Sequence, residues 1–145
     1  MKFIKSNKGQ LSIEYLFIFI ISITLITLIF IPLISDSLDY TIDVTQTYNT
    51  KAELSEIVNG INEVYASGSG SKRTIFLTMP EDCVLSFSSN NINTNLKLSD
   101  NTIKNIKLNT EYDNLNNPPI QLKKGYNKLC IEWPENTSDI KIYLI

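Results

Sequence analysis

Glu14 is the residue in this chain whose surroundings most demand a chemical reason. It stands at the head of a run, Tyr15 to Ile34, that carries no charge and whose only hydrophilic side chains are Ser22, Thr24 and Thr27. A carboxylate held at membrane depth costs on the order of a few kcal/mol, less near the interface, and such groups mark functional sites. A positive charge about one helical turn away would answer it, since opposite charges at that range attract strongly where water is scarce. Elsewhere the sequence is poor in reactive constellations. It contains no histidine. That removes the usual general base, the His-paired Ser and Cys nucleophiles and the commonest metal ligand. Its two cysteines, Cys83 and Cys130, are too few for a zinc cluster and too far apart for a C-x-x-C redox pair. Gly68-Ser69-Gly70 lacks the strand–loop–helix context of a phosphate cradle. Glu81-Asp82 and Glu132–Glu135 adjoin prolines and read as turn residues, not as a glycosidase pair. Asp36, Asp39 and Asp43 lack the Gly turn and bidentate acid of a calcium loop and read as a solvated helix face. Trp133 and Tyr143 are better placed for core packing than for holding a ligand. No enzyme, cofactor or metal is expected.

The elements that position Glu14 come next. Residues 1–9 are short, basic and polar, with Lys2, Lys5 and Lys8. The apolar run that follows is 20 residues in its densest part. As a helix it spans roughly 30 Å, the thickness of a bilayer core. Lysines precede it and no basic residue follows until Lys51, which predicts the N-terminus inside and the C-terminus outside the cell. Without the three leading lysines, thirteen basic residues become ten against fifteen acidic ones. A mildly acidic body suits a soluble surface and does not point to nucleic acid.

Three explanations fit such a run. A secretory signal peptide is cut after a shorter apolar stretch at small residues, and Ile34-Ser35-Asp36-Ser37-Leu38 offers no such pattern. A plain single-pass anchor accounts for the length but not for Glu14. The third explanation is a cut between Gly9 and Gln10, which frees an amine about one turn from Glu14. Glu14 of one subunit would then pair with the terminal amine of a neighbour and set the axial register, because leaving it unpaired is costly.

The stretch Gly9-Gln10-Leu11-Ser12-Ile13-Glu14-Tyr15 resembles the class III signal of archaeal type IV pilins: Gly, then Gln-x-Ser-x-Glu-Tyr or Phe, then a continuous apolar helix. Lys8 and Gly9 match the positions before the cut, and Gln10, Ser12, Glu14 and Tyr15 those after it. The resemblance implies cleavage between Gly9 and Gln10 by a membrane-embedded aspartic prepilin peptidase. It also implies that the helix stays on the mature protein as filament core. Its implied partners are other copies of the chain and other pilins in a helical filament, the prepilin peptidase and an assembly platform in the membrane. The junction from Val64 to Ile75 is similar to the helix-to-sheet junction of methanogen pilin-like proteins.

The expected fold class is α+β: a long hydrophobic-to-amphipathic helix followed by a small antiparallel β-sandwich. The expected segments are a leader at 1–9, a transmembrane or filament-core helix at 10–34, an amphipathic helix packing on the head at 35–66, a flexible Gly/Ser linker at 67–72 and a β domain at 73–145. Pro32 predicts a kink or an opened turn, not a break. The Thr-rich stretch 45–50 allows a bend, so the helix is one piece or two in tandem. Leu38, Ile42 and Thr45 share a face, and Leu54, Ile57, Val58, Ile61, Val64 and Tyr65 follow helical spacing. Gly60 costs about 1 kcal/mol against Ala, which close packing on a sheet would explain. Period-two alternation predicts strands at 73–79, 84–88, 92–98, 103–108, 128–133 and 140–145. Cys83 and Cys130 fall in or beside different strands. Outside the cell two such cysteines usually pair. Closing that 48-residue loop would contribute about 4 kcal/mol; two free buried thiols are the alternative. Asn136-Thr137-Ser138 is the one glycosylation sequon, in a polar loop.

The resulting expectation is a structural pilus subunit that supports surface adhesion. A minor pilin or an archaellum component shares the same processing. An uncleaved single-pass envelope protein with a β-rich binding domain is the alternative from another class.

Overall fold

A computed structural model describes the backbone from Asn7 to Ile145 and the side chains from Ile13 onward. The expected α+β order is what the chain adopts: one long helix, then seven antiparallel strands in two sheets. The chain divides into two units, Met1–Thr41 and Ile42–Ile145, and a single helix, α1 (Asn7–Ser67), contributes to both. Pro32 lies inside α1 without ending it, and the Thr-rich stretch is helical as well, so the helix is one piece.

In the first unit the described apolar side chains of the helix are exposed. Large hydrophobic residues from Tyr15 to Ile34 are between 48 % and 70 % exposed. The helix holds regardless, because its backbone bonds are internal and its hydroxyls join them. Ser22 Oγ donates to the Ile18 carbonyl at 2.7 Å, Thr24 Oγ1 to Ile20 at 2.8 Å and Thr27 Oγ1 to Ile23 at 2.8 Å. Such back-bonding hides the polar atom and leaves an apolar exterior.

In the second unit one apolar core joins the helix to both sheets. The strands are β1 (Lys72–Met79), β2 (Cys83–Ser88), β3 (Asn91–Lys97), β4 (Ile103–Asn109), β5 (Ile120–Leu122), β6 (Gly125–Glu132) and β7 (Lys141–Leu144). One sheet runs β1-β6-β7 and the other β4-β3-β2-β5. Leu54, Ile57, Ile61 and Val64 of α1 are buried with Ile75, Leu77, Leu129 and Ile131 of the first sheet and Leu85, Ile92, Leu96 and Leu122 of the second. Gly60 is where the helix comes closest: a Cβ there would lie 2.8 Å from Ile131 Cδ1 and 3.4 Å from Ile75 Cγ2. Close packing, as expected, accounts for that glycine.

The buried stripe is shorter than the periodicity suggests. Leu38 and Ile42 are 57 % and 48 % exposed, and burial begins only at Thr50. Tyr65 is also partly exposed, yet its ring stacks on Trp133 with centroids 5.9 Å apart and tilts against Tyr112 at 5.4 Å. The Gly/Ser segment is an ordered cap. Gly68 and Gly70 take positive φ of 81° and 90°. Gly68 N–H closes the helix on the Val64 carbonyl at 3.1 Å, and Gly70 N–H reaches the Trp133 carbonyl at 2.7 Å. Ser71 Oγ adds a bond to the Val64 carbonyl at 2.9 Å. The expected flexibility is replaced by a Gly-dependent helix stop of the usual left-handed kind.

Candidate functional site

Glu14 and Tyr15 lie on exposed helix in the first unit. The surroundings of Gly9, Gln10 and Ser12 lie outside the described residues, so of the residues expected at the cut and in assembly only the side chains of Glu14 and Tyr15 are described. Among the described residues α1 is the one helix long and apolar enough to cross a membrane.

The disulfide expected from the cysteine count is not formed: both thiols are free and buried. The pleat gives the reason. Along β6, Leu129 and Ile131 face the core, whereas Tyr126, Lys128, Cys130 and Glu132 alternate to the outer face of the first sheet. Cys83, in the second sheet, belongs to the core, where burial pushes its thiol pKa up. The two sulfurs therefore point to opposite sides of β6.

Cys130 is covered by a polar cluster that the sequence alone does not reveal. It sits in register between Thr74 of β1 and Tyr143 of β7. Above it, Lys72 Nζ donates to the Tyr143 hydroxyl at 3.3 Å, and that hydroxyl donates to Glu132 Oε2 at 2.8 Å. Lys72 and Glu132 also pair directly at 3.4 Å. The Tyr143 bond raises Lys72 above, and holds Glu132 below, its ordinary value. Hydrogen bonding with Cys130 and then Glu132 raises Tyr143. Glu132 and Tyr143 lie in expected strands, whereas Lys72, expected as the last linker residue, opens β1; strand pairing order, which a single sequence does not state, is what joins the three.

Further along the same outer face, the Phe76 and Tyr126 rings stack at 5.8 Å, and Lys128 Nζ lies 5.9 Å from the Phe76 centroid. Both rings are solvent-exposed, at 55 % and 70 %. Opposite this face, an open cleft of about 390 Å³ beside the helix and β1 is lined by Glu56, Asn62, Glu63, Arg73 and Glu111 among others. Arg73 pairs there with Glu63 and, at 3.8 Å, with Glu56. Asn62 Oδ1 accepts the Glu111 backbone N–H at 3.0 Å.

The acidic turn residues have structural partners. Asp82 Oδ1 accepts the Lys124 backbone N–H at 2.7 Å, which holds its carboxyl below the ordinary value, and Lys124 Nζ donates to Glu81 at 2.8 Å. Asp43 caps the β3–β4 turn through Ser99 N and Oγ at 2.9 and 2.8 Å. Among the described residues no group of three or more potential metal ligands assembles. Asn136 is exposed in the turn between β6 and β7. Compared with known proteins, the chain matches no family model, no curated protein and no solved structure.

Proposed function

We propose that the chain is the structural subunit of a surface filament of the type IV pilus kind, inserted in the membrane as a precursor and assembled through its N-terminal helix. The observation that carries this reading is the bare apolar half of α1. Its large hydrophobic side chains are about half exposed or more from Ile13 to Ile34, and its Ser22, Thr24 and Thr27 hydroxyls are already bonded to their own backbone. A surface of that extent needs lipid first and other apolar helices afterwards. Transfer from one to the other exchanges like for like, so the process needs a device that fixes register. Glu14 paired with a neighbour's freed amine supplies it, because a misplaced subunit leaves the carboxylate desolvated without a partner.

In this mechanism the leader is removed between Gly9 and Gln10, the helices bundle about the filament axis, and the β domains form the exterior, where adhesion takes place. The back-bonded Ser22, Thr24 and Thr27 are small enough for helices to approach closely. The test is the mass of the mature N-terminus. A terminus at Gln10 is expected; an intact Met1–Gly9 segment in the finished protein overturns the reading.

A further inference from the structure

We propose that the head domains of adjacent subunits join head to tail, the basic aromatic face of the first sheet docking on the acidic cleft of the next copy. This deepens the filament reading and rests on it.

The first partner surface is the outer face of β1-β6-β7. Phe76 and Tyr126 stand stacked and exposed on it, with Lys128 beside the ring. Lys72, Lys128 and Lys141 set three ammonium groups there against the single carboxylate of Glu132. Among the described residues no segment covers Phe76 or Tyr126, although aromatic pairs of this kind are what interfaces bury.

The second surface is the cleft beside α1. Glu56, Glu63 and Glu111 line it with one guanidinium, that of Arg73. Its imbalance is the reverse of the sheet face, three carboxylates to one cation. A volume of about 390 Å³ admits a lysine side chain with the edge of a neighbouring ring.

Strand alternation fixes how the two surfaces are disposed. Along β1, Arg73, Ile75 and Leu77 turn toward the helix, while Lys72, Thr74 and Phe76 turn outward. The cleft and the aromatic face therefore open on opposite sides of one sheet. Two different, complementary patches on opposite sides of a subunit make a heterologous contact, which repeats instead of closing into a dimer. An anionic polymer would satisfy the lysines but leaves the cleft without a role, so a second copy is the occupant favoured.

Charge exchange tests the pairing on the full-length, processed protein. Lys128 and Glu56 are both solvent-exposed. Lys128→Glu and Glu56→Lys are each expected to lower sedimenting polymer about tenfold, since like charges across a contact are strongly disfavoured. The double variant is expected to return polymer to within about threefold of the parent, because the pair is restored in reverse. Thermal unfolding of each variant checks the fold; should Lys128→Glu unfold early, Lys128→Gln carries the test with a loss of about threefold. Normal polymer in both single variants, with a Gln10 terminus, overturns the head contact and leaves the filament reading standing. So does a double variant no better than its parents. So does normal polymer alongside loss of retention of Lys128→Glu on immobilised polygalacturonate, which would assign the face to an anionic polymer. A retained Met1–Gly9 segment overturns both.

Discussion

Thr50 opens the buried stripe of the helix, and it carries a cost. Its side chain is fully buried, and its Oγ1 is the one buried side-chain polar atom without a hydrogen-bond partner among the described residues. A hydroxyl desolvated without compensation costs about 1–3 kcal/mol. Valine has nearly the same shape and helix propensity, so the substitution isolates the polar term. Thr50→Val is expected to stabilise the head by about 1 kcal/mol. That corresponds to roughly 4 °C in thermal midpoint for a domain of this size. Unfolding of the intact chain in detergent measures it, and a lower midpoint would mean that the hydroxyl is satisfied after all. The unpaired cysteines belong to the same scale. Counting residues and naming a compartment predicts a bond, but only the pleat tells which side of a strand each sulfur occupies, and pleat assignment needs the register of the neighbours.

At the scale of elements, the helix end shows what a short motif can and cannot say. Ala66-Ser67-Gly68-Ser69-Gly70-Ser71 has the composition of a flexible linker, yet its glycines are used for conformation, not for freedom. Gly68 takes φ of 81°, and nothing lies within 4 Å of a Cβ added there. A side chain at this position therefore meets backbone strain alone. Gly68→Ala is expected to cost about 1 kcal/mol and Gly68→Asn less, because asparagine tolerates the left-handed region. Chemical denaturation of the three proteins gives the order; equal midpoints would contradict the cap. The strands were legible for a related reason. Alternation placed β1 to β4, β6 and β7 within a few residues, since one face of each is buried in a common core. The exception, β5, is only three residues long and follows Pro118-Pro119. It is held by pairing with β2 from Cys83 to Leu85, a long-range contact that no local pattern announces. Asn117, just before the two prolines, makes a contact that is equally invisible locally: its side-chain amide donates to the Ile140 carbonyl at 2.8 Å and accepts the Ile142 N–H at 3.0 Å, at the start of β7.

For the whole molecule, the apolar helix and the β domain set opposite requirements. The head is complete in itself: its core side chains from Leu54 to Ile142 are buried without help from another chain. The exposed helix is not, and because it carries no charge from Tyr15 to Ile34, a shift of one turn mostly exchanges one apolar side chain for another. In the proposed filament, register must come from a feature that distinguishes one axial position from the next. Glu14 is the only charged residue between Gly9 and Ile34. Removing it should leave the membrane step untouched, since an apolar helix inserts at least as well without a carboxylate. It should also leave the proposed cut between Gly9 and Gln10 largely unchanged. What it should remove is the penalty for misplacement, and with it the selection of one register. Glu14→Ala is therefore expected to accumulate as processed, membrane-bound monomer, with filament incorporation reduced about tenfold or more. Cell fractionation with electron microscopy measures both quantities. Glu14→Gln separates charge from hydrogen bonding, because it keeps an acceptor for the neighbour's amine but not the ion pair. Incorporation of Glu14→Ala at the parent level would show that register is set elsewhere, and the head contact would then have to supply it.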